Sequence, residues 1–205
     1  LDNGTTPLSV LELVSKVAAP GSTPVGVMTY VNPVFRMGTE EFAARAADSG
    51  VAGVIVPDLP PEEADEWLAA AALRGLDTIF LVAPTTPLDR VELIGSKSRG
   101  FLYYVSMTGV TGTACAVSPE MRDQIGRVRR VSKSPVAVGF GISTPEQAAA
   151  LADAADGVIV GSALVKEVGN HAKKVEQVAA AARMARAVSA ALNRSENGNG
   201  AASIR

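Results

Sequence analysis

The stretch Val136-Ala137-Val138-Gly139-Phe140-Gly141-Ile142-Ser143, followed by Gly157-Val158-Ile159-Val160-Gly161-Ser162-Ala163, decides the fold of this chain. Each segment is a short, β-branched apolar run that ends at a glycine and leads into a helical pattern. A ligand phosphate can approach a glycine backbone closely, and the N–H groups of a helix start can bind it. In a (β/α)8 barrel the loops after the last two strands are the usual phosphate site. The pair therefore predicts this architecture and a phosphorylated ligand.

Further apolar, β-rich runs precede these two, and helical patterns separate them all. None of the runs alternates apolar with polar residues, which is typical of strands buried on both faces of a parallel sheet. The six runs cover residues 25–29, 51–56, 78–82, 101–105, 136–139 and 157–160. This alternation of strands and helices suits a doubly wound sheet or a barrel, and the glycine tips favour the barrel. We predict an α/β fold, an incomplete TIM barrel of about six strands over residues 1–192, and a disordered polar tail at residues 193–205.

Hydroxyl–proline pairs mark several predicted helix starts, because a hydroxyl caps the first turn and proline suits its first position. The pairs are Thr6-Pro7, Thr86-Pro87, Ser118-Pro119 and Thr144-Pro145. Thr144 and Gln147 also have the spacing of a capping box.

Composition excludes several classes of function. The formal net charge is -2 and the pI is near 5.5, so we expect no nucleic-acid partner. The basic residues at positions 127–133 fall on a predicted helix and favour a solvated face. A lone cysteine, Cys115, fits a reducing compartment, and no apolar run reaches the roughly 18 residues of a membrane span. We expect a cytoplasmic protein without a membrane segment, and no residue cluster has metal-ligand spacing.

Candidate site residues lie where predicted strands end, since barrel chemistry occurs at the carboxyl ends of the strands. The glycine- and hydroxyl-rich loop 106–113 offers backbone donors and Thr111 to a phosphate. Asp58 follows a strand, and we interpret it as a group that orients a loop or caps the next helix rather than a proton-transfer group. No pair of strand-end carboxylates is available for acid–base work.

Together these motifs resemble the tryptophan synthase α subunit. The resemblance rests on Val56-Pro57-Asp58-Leu59-Pro60, Ser106 through Thr113, Gly139-Phe140-Gly141-Ile142-Ser143 and Val160-Gly161-Ser162-Ala163, and Met28-Thr29-Tyr30-Val31-Asn32-Pro33 fits it. It implies a lyase of tryptophan biosynthesis that cleaves indole-3-glycerol phosphate to indole and glyceraldehyde 3-phosphate by a retro-aldol reaction. It also implies a β subunit as partner in an α2β2 heterotetramer, with pyridoxal phosphate bound only in that partner and no cofactor in the α subunit.

The resemblance also assigns roles to individual residues. The phosphate is expected at Gly112, Gly141, Gly161 and Ser162, and Thr111 is expected in the mobile loop that closes the site. The indole pocket is expected to contain Tyr30, Ile55, Tyr103, Phe140 and Ile159. Asn32 and Pro60 are expected to face the β subunit.

The family's acid–base pair, a glutamate after the second strand and an aspartate in the next loop, is expected upstream of Leu1 together with two strand–helix units. We therefore expect no acid–base residue within residues 1–205 and no lyase turnover from this polypeptide alone. The sheet edges near Val25 and Val160 would then be unpaired, and we expect the isolated polypeptide to be insoluble or molten.

Two other classes of function stay open from the sequence. A related phosphate barrel, such as a sugar-phosphate isomerase or epimerase or a thiamine phosphate synthase, would need Asp58 for activity. A non-catalytic module would bind phosphorylated ligands or a β-type partner without forming product.

Overall fold

The computed structural model describes residues 4–19, 23–106, 117–139 and 141–199. The chain divides into two compact units, residues 1–81 with 93–102 and residues 82–92 with 103–205. A single domain over residues 1–192 stays a prediction. None of the described helices is long and apolar enough to cross a membrane.

The first unit contains a three-stranded parallel sheet in the order β1-β2-β3. Its strands are β1 (Val25–Met28), β2 (Val51–Ile55) and β3 (Asp77–Ile79). The central strand β2 is mostly buried, whereas β1 alternates half-buried and exposed residues. Within the described residues β1 pairs only with β2, so the expected edge near Val25 is present in this sheet.

The second sheet has the order β4-β5-β6-β7. Its strands are β4 (Leu81–Val82), β5 (Leu102–Val105), β6 (Val136–Gly139) and β7 (Gly157–Ile159). β6 and β7 are parallel, with Ala137 beside Gly157. β5 and β6 are largely buried and β7 is half-buried along its whole length, as an edge strand is.

The third apolar run, residues 78–82, forms two strands where the sequence predicts one. β3 ends at Ile79 and β4 begins at Leu81, so the break falls at Phe80. The Phe80 N–H donates to the buried Ser98 hydroxyl at 3.3 Å instead of to a strand. The described residues therefore form seven short strands from six apolar runs, in two parallel α/β sheets of the barrel fold class.

Nine helices lie in the described residues, and most begin where the sequence predicts. They are α1 (Pro7–Val17), α2 (Val31–Met37), α3 (Thr39–Asp48), α4 (Asp65–Leu73), α5 (Leu88–Lys97), α6 (Pro119–Val131), α7 (Pro145–Ala149), α8 (Ser162–Gly169) and α9 (Lys174–Asn199), with a 3-10 turn at Pro61–Glu63. Thr6, Ser118 and Thr144 cap α1, α6 and α7 as expected. The Thr86 hydroxyl instead accepts from the Ala83 N–H at 3.0 Å, which closes a turn.

The last helix extends further than the sequence predicts. α9 continues to Asn199, into the segment from residue 193 for which we predict a disordered tail. No proline interrupts the chain between Lys174 and Asn199, so every backbone N–H of the helix can donate. The helix therefore includes the first part of that segment, and residues 200–205 lie outside the described residues.

Two arginines on α6 hold the segment that leads into β7. Arg122 pairs with Asp153 at 3.1 Å and donates to the Ala150 carbonyl. Arg129, two helical turns later on the same face, pairs with Asp156 at 2.6 Å. The other Asp156 oxygen accepts from the Val136 N–H at 2.8 Å. The basic face of α6 is therefore not only solvated, as predicted, but also binds the segment that precedes β7.

Trp67 on α4 is the tryptophan of the chain and lies in the core of the first unit. It is 1% exposed and packs against Phe42 of α3 with a ring-centroid distance of 5.9 Å. Its Nε1 has no hydrogen-bond partner among the described residues. The ring therefore stabilises this core through packing and not through its N–H group.

Trp67→Phe is expected to lower the free energy of unfolding by about 1–2 kcal/mol, because it loses no hydrogen bond but leaves a small cavity. Trp67→Ala is expected to lower it by about 3–5 kcal/mol, because it leaves a cavity. Urea unfolding followed by circular dichroism compares the two. Equal losses in both variants would contradict the view that the phenyl-sized part of the ring supplies most of the packing energy.

Candidate active site

The carboxyl ends of β6 and β7 bring the two glycine motifs together. Gly139 and Ile159 are register partners in this parallel pair. Gly141 and Gly161, each two residues further along, therefore follow the same edge of the same sheet. This is the edge at which barrel proteins bind their ligands.

Gly139 makes room for a neighbouring side chain. A Cβ at this position would lie 2.3 Å from the Tyr103 hydroxyl and 2.4 Å from Cε2 of the same ring. Tyr103 is 5% exposed, and burial raises the pKa of its phenol. The Ser106 N–H and hydroxyl both donate to the Gly139 carbonyl at 3.1 Å. The glycine at the tip of β6 is therefore required by packing, which differs from the ligand approach predicted for it.

Beyond β6 the chain makes a turn that α7 fixes. Gly141 has a φ of +83°, a conformation that favours glycine. The Gln147 Oε1 accepts from the Ser143 N–H at 2.8 Å, the Ser143 hydroxyl at 3.0 Å and the Thr144 N–H at 3.2 Å. The Thr144 hydroxyl in turn accepts from the Gln147 N–H at 3.3 Å. The predicted capping box is confirmed, and it also includes Ser143.

The start of α8 differs from the other helix starts. Its N-cap is Gly161, which has no side chain, and its first turn has no acidic residue. Side-chain hydroxyls cap α1, α6 and α7. Acidic residues occupy the first turns of α3, α4, α5 and α9. The first N–H of α2 donates to a carboxylate from another loop. A Cβ at Gly161 would meet nothing within 4 Å. Among the described residues, no side chain caps the first turn of α8, which leaves its N–H groups open to an anion.

The candidate residues of the first unit lie at the ends of β1 and β2. Tyr30 follows β1 and is 67% exposed. Ile55 ends β2, is half-buried and is the register partner of Met28. Asn32 on α2 and Pro60 before the 3-10 turn are exposed, as a contact surface requires. Tyr103, Gly141, Ile159, Gly161 and Ser162 belong to the second unit.

Asp58 holds a helix start. Its Oδ1 accepts from the Val31 N–H, the first of α2, at 2.8 Å. Asp58 therefore caps a helix, but the prediction that it caps the next helix is wrong, because the capped helix is α2, which precedes Asp58 in the chain. No signal in the sequence links these residues, which are 27 positions apart.

Asp58→Ala is expected to lower the free energy of unfolding by about 1 kcal/mol, because the first N–H of α2 loses its acceptor. Asp58→Asn retains an acceptor oxygen, and we expect a smaller loss. Thermal unfolding of the two variants measures the difference. If Asp58→Asn is as unstable as Asp58→Ala, the carboxylate charge matters more than the hydrogen bond.

Three site residues predicted from the sequence lie outside the described residues: Thr111, Gly112 and Phe140. Cys115 also lies outside them. In the part that the structure describes, no group of three or more histidine, cysteine or acidic side chains could hold a metal ion.

The parallel strands, the helices between them and the open helix start at the strand ends define a protein of the (β/α)-barrel class. The family model for the tryptophan synthase alpha chain matches residues 1–193. The chain belongs to this family.

Individual relatives agree with this assignment. The tryptophan synthase alpha chain of Geobacter sp. strain M21 is 50% identical over 166 residues, which are 81% of this chain and 62% of that protein. The alpha chain of Methanocaldococcus jannaschii is 46% identical over 180 residues, which are 87% of this chain and 64% of that protein. The chain thus spans less than two thirds of the length of these relatives.

Solved structures show the same likeness. The alpha subunit from Legionella pneumophila strain Paris matches with a TM-score of 0.84 and 36% identity, over 95% of this chain and 72% of that one. A chain of the tryptophan synthase a2b2 complex from Pyrococcus furiosus matches with a TM-score of 0.82 and 37% identity, over 92% and 76%.

Proposed function

We propose that this chain binds indole-3-glycerol phosphate and takes part in its cleavage to indole and glyceraldehyde 3-phosphate, in the biosynthesis of tryptophan. The observation that carries the proposal is the uncapped start of α8, at the same sheet edge as the Gly141 turn. A phosphate ester is an anion, and free N–H groups at the positive end of a helix dipole stabilise it. Membership in the family selects this ester among phosphorylated ligands.

In this proposal the backbone N–H groups of Gly112, Gly141 and Gly161 and the hydroxyl of Ser162 bind the phosphate. Ser162 is exposed at the first position of α8 and is available for this contact. As the resemblance to the family implies, we propose Tyr30, Ile55, Tyr103, Phe140 and Ile159 as the residues that contact the indole ring. Thr111 belongs to the loop that closes over the substrate.

The cleavage needs acid–base groups beyond those that bind the substrate. The bond from the indole ring carbon to the glycerol chain breaks, the ring carbon gains a proton and the glycerol hydroxyl loses one to become an aldehyde. One group must protonate the ring and another must polarise its N–H. As the resemblance to the family implies, we propose that these two carboxylates do not come from residues 1–205, and the Asp58 carboxylate accepts from the first N–H of α2.

We further propose a β-type subunit as partner in an α2β2 complex, reached through Asn32 and Pro60. The Pyrococcus relative occurs in such an a2b2 complex, and both residues are exposed here. Pyridoxal phosphate would be bound by the partner, and this chain would need no cofactor of its own. We place the protein in the cytoplasm.

A chimera tests the lyase proposal. The amino-terminal part of the Geobacter alpha chain, which we propose to carry the two carboxylates, is joined to the front of residues 4–205. Indole release from indole-3-glycerol phosphate is expected from the chimera and not from residues 1–205 alone.

The matched control replaces both carboxylates of the joined segment by their amides, which preserves shape and removes the acid–base groups. This control is expected to bind the substrate without releasing indole. A chimera that folds and binds the substrate but releases no indole would contradict the lyase proposal and would favour a non-catalytic binding module.

A further inference from the structure

The side chain of Gln147 bonds to more groups than a capping box requires. In the usual box the third helical residue bonds the N–H of the N-cap residue only. Here one oxygen of Gln147 accepts from the Thr144 N–H, the Ser143 N–H and the Ser143 hydroxyl, at 2.8–3.2 Å. Because two of the donors are backbone N–H groups, the acceptor must be the amide oxygen.

These bonds decide which donors of the second unit remain for an anion. The N–H groups of Ser143 and Thr144 point at Gln147, so they are not free to bind a phosphate. The first turn of α8 has no such partner among the described residues. The same bonds fix the turn two residues beyond Gly141, whose φ of +83° sets the direction of the backbone there.

We propose that Gln147 is a positioning residue of the phosphate site and that its lack of charge is essential to that role. This inference rests on the proposed function, because it concerns the same phosphate. The amide holds the Gly141–Thr144 turn and leaves the anion to Gly141 and the start of α8. A carboxylate in its place would hold the turn equally well but would repel the phosphate.

A negative charge at position 147 is expected to affect the stability of the chain and its affinity for a phosphate ester differently. Glutamate is common at this position of a capping box, and negative charge near a helix start is stabilising. Gln147→Glu is therefore expected to keep or raise the melting temperature. Binding of a phosphate ester is expected to weaken by about tenfold through charge repulsion. A residue with only a structural role would not change the two quantities in opposite directions.

The test uses the chimera described above, in which the amino-terminal part of the Geobacter alpha chain precedes residues 4–205, because the 205-residue chain alone is expected to be insoluble or molten. Isothermal titration calorimetry measures the Kd of glycerol 3-phosphate and, separately, of indole, and thermal unfolding measures Tm. Gln147→Glu is expected to raise the Kd of glycerol 3-phosphate, to leave the Kd of indole unchanged and not to lower Tm. Gln147→Leu, which loses all three bonds, is expected to lower Tm and weaken glycerol 3-phosphate binding together.

The matched control is Ser9→Glu, which adds the same charge at the same position of the other capping box, at Thr6 and Ser9 of α1. It is expected to leave both Kd values unchanged. If Gln147→Glu binds glycerol 3-phosphate as tightly as the parent, or if Ser9→Glu weakens it equally, the inference is overturned. If the folded parent chain binds no glycerol 3-phosphate, the phosphate site of the proposed function itself is wrong.

Discussion

Gly139→Ala is expected to lower the free energy of unfolding of the second unit by about 3 kcal/mol. The new Cβ would lie within 2.6 Å of two ring carbons and the hydroxyl oxygen of Tyr103, a residue that is 5% exposed. A buried ring has little room to move, so the strand or the ring must shift from its packed position. Urea unfolding of the chimera with the Geobacter amino-terminal part, followed by circular dichroism, gives the loss.

A double-mutant cycle identifies the cause. Tyr103→Ala removes the ring, so Gly139→Ala added to it is expected to cost less than about 1 kcal/mol further. Tyr103→Phe removes only the hydroxyl, leaves Cε2 at 2.4 Å from the new Cβ, and is expected to give no rescue. Gly161→Ala is the matched control at the other strand tip, where a Cβ meets nothing within 4 Å. If Gly139→Ala and Gly161→Ala are equally stable, the packing argument is wrong.

Gly161→Asp is expected to weaken the binding of glycerol 3-phosphate by about 100-fold, while it stabilises the chain by only a few tenths of a kcal/mol, roughly 0.3. An aspartate at the N-cap accepts from the first-turn N–H groups of α8, which have no side-chain cap in the parent. The same carboxylate then occupies the donors that the anion needs and adds a repelling charge. Calorimetry and thermal unfolding measure the two effects.

Gly161→Asn separates the two causes, because asparagine caps the helix without a charge. It is expected to weaken binding by about tenfold, through loss of donors alone. An aspartate variant that binds glycerol 3-phosphate like the parent would show that the anion does not use the start of α8.

Features that depend on neighbouring residues are well predicted from the sequence. The caps at Thr6, Ser118 and Thr144 follow from local hydroxyl–proline pairs, and the structure confirms them. The parallel pairing of β6 and β7 and the edge at β1 also agree with the pattern of apolar runs. These features need only local sterics and burial on both strand faces.

Features that depend on residues distant in the sequence are poorly predicted from it. The break at Phe80 depends on Ser98, 18 residues later, and the Asp58 cap depends on Val31, 27 residues earlier. The packing reason for Gly139 lies in Tyr103 of another strand. The capping-box spacing of Thr144 and Gln147 is a visible signal, but the bonds to Ser143 follow only from the turn geometry.

The two ends of β7 differ in how firmly they are held, because the arginines of α6 bind only the segment that leads into its beginning. At its beginning, Asp156 bonds Arg129 and both backbone groups of Val136, so the amides there should exchange with deuterium slowly. At its other end the chain passes into the uncapped first turn of α8, where exchange should be fast. A bound ligand would then slow the exchange of the amides at the start of α8 only. The slowly exchanging amides at the beginning of β7 would serve as an internal reference.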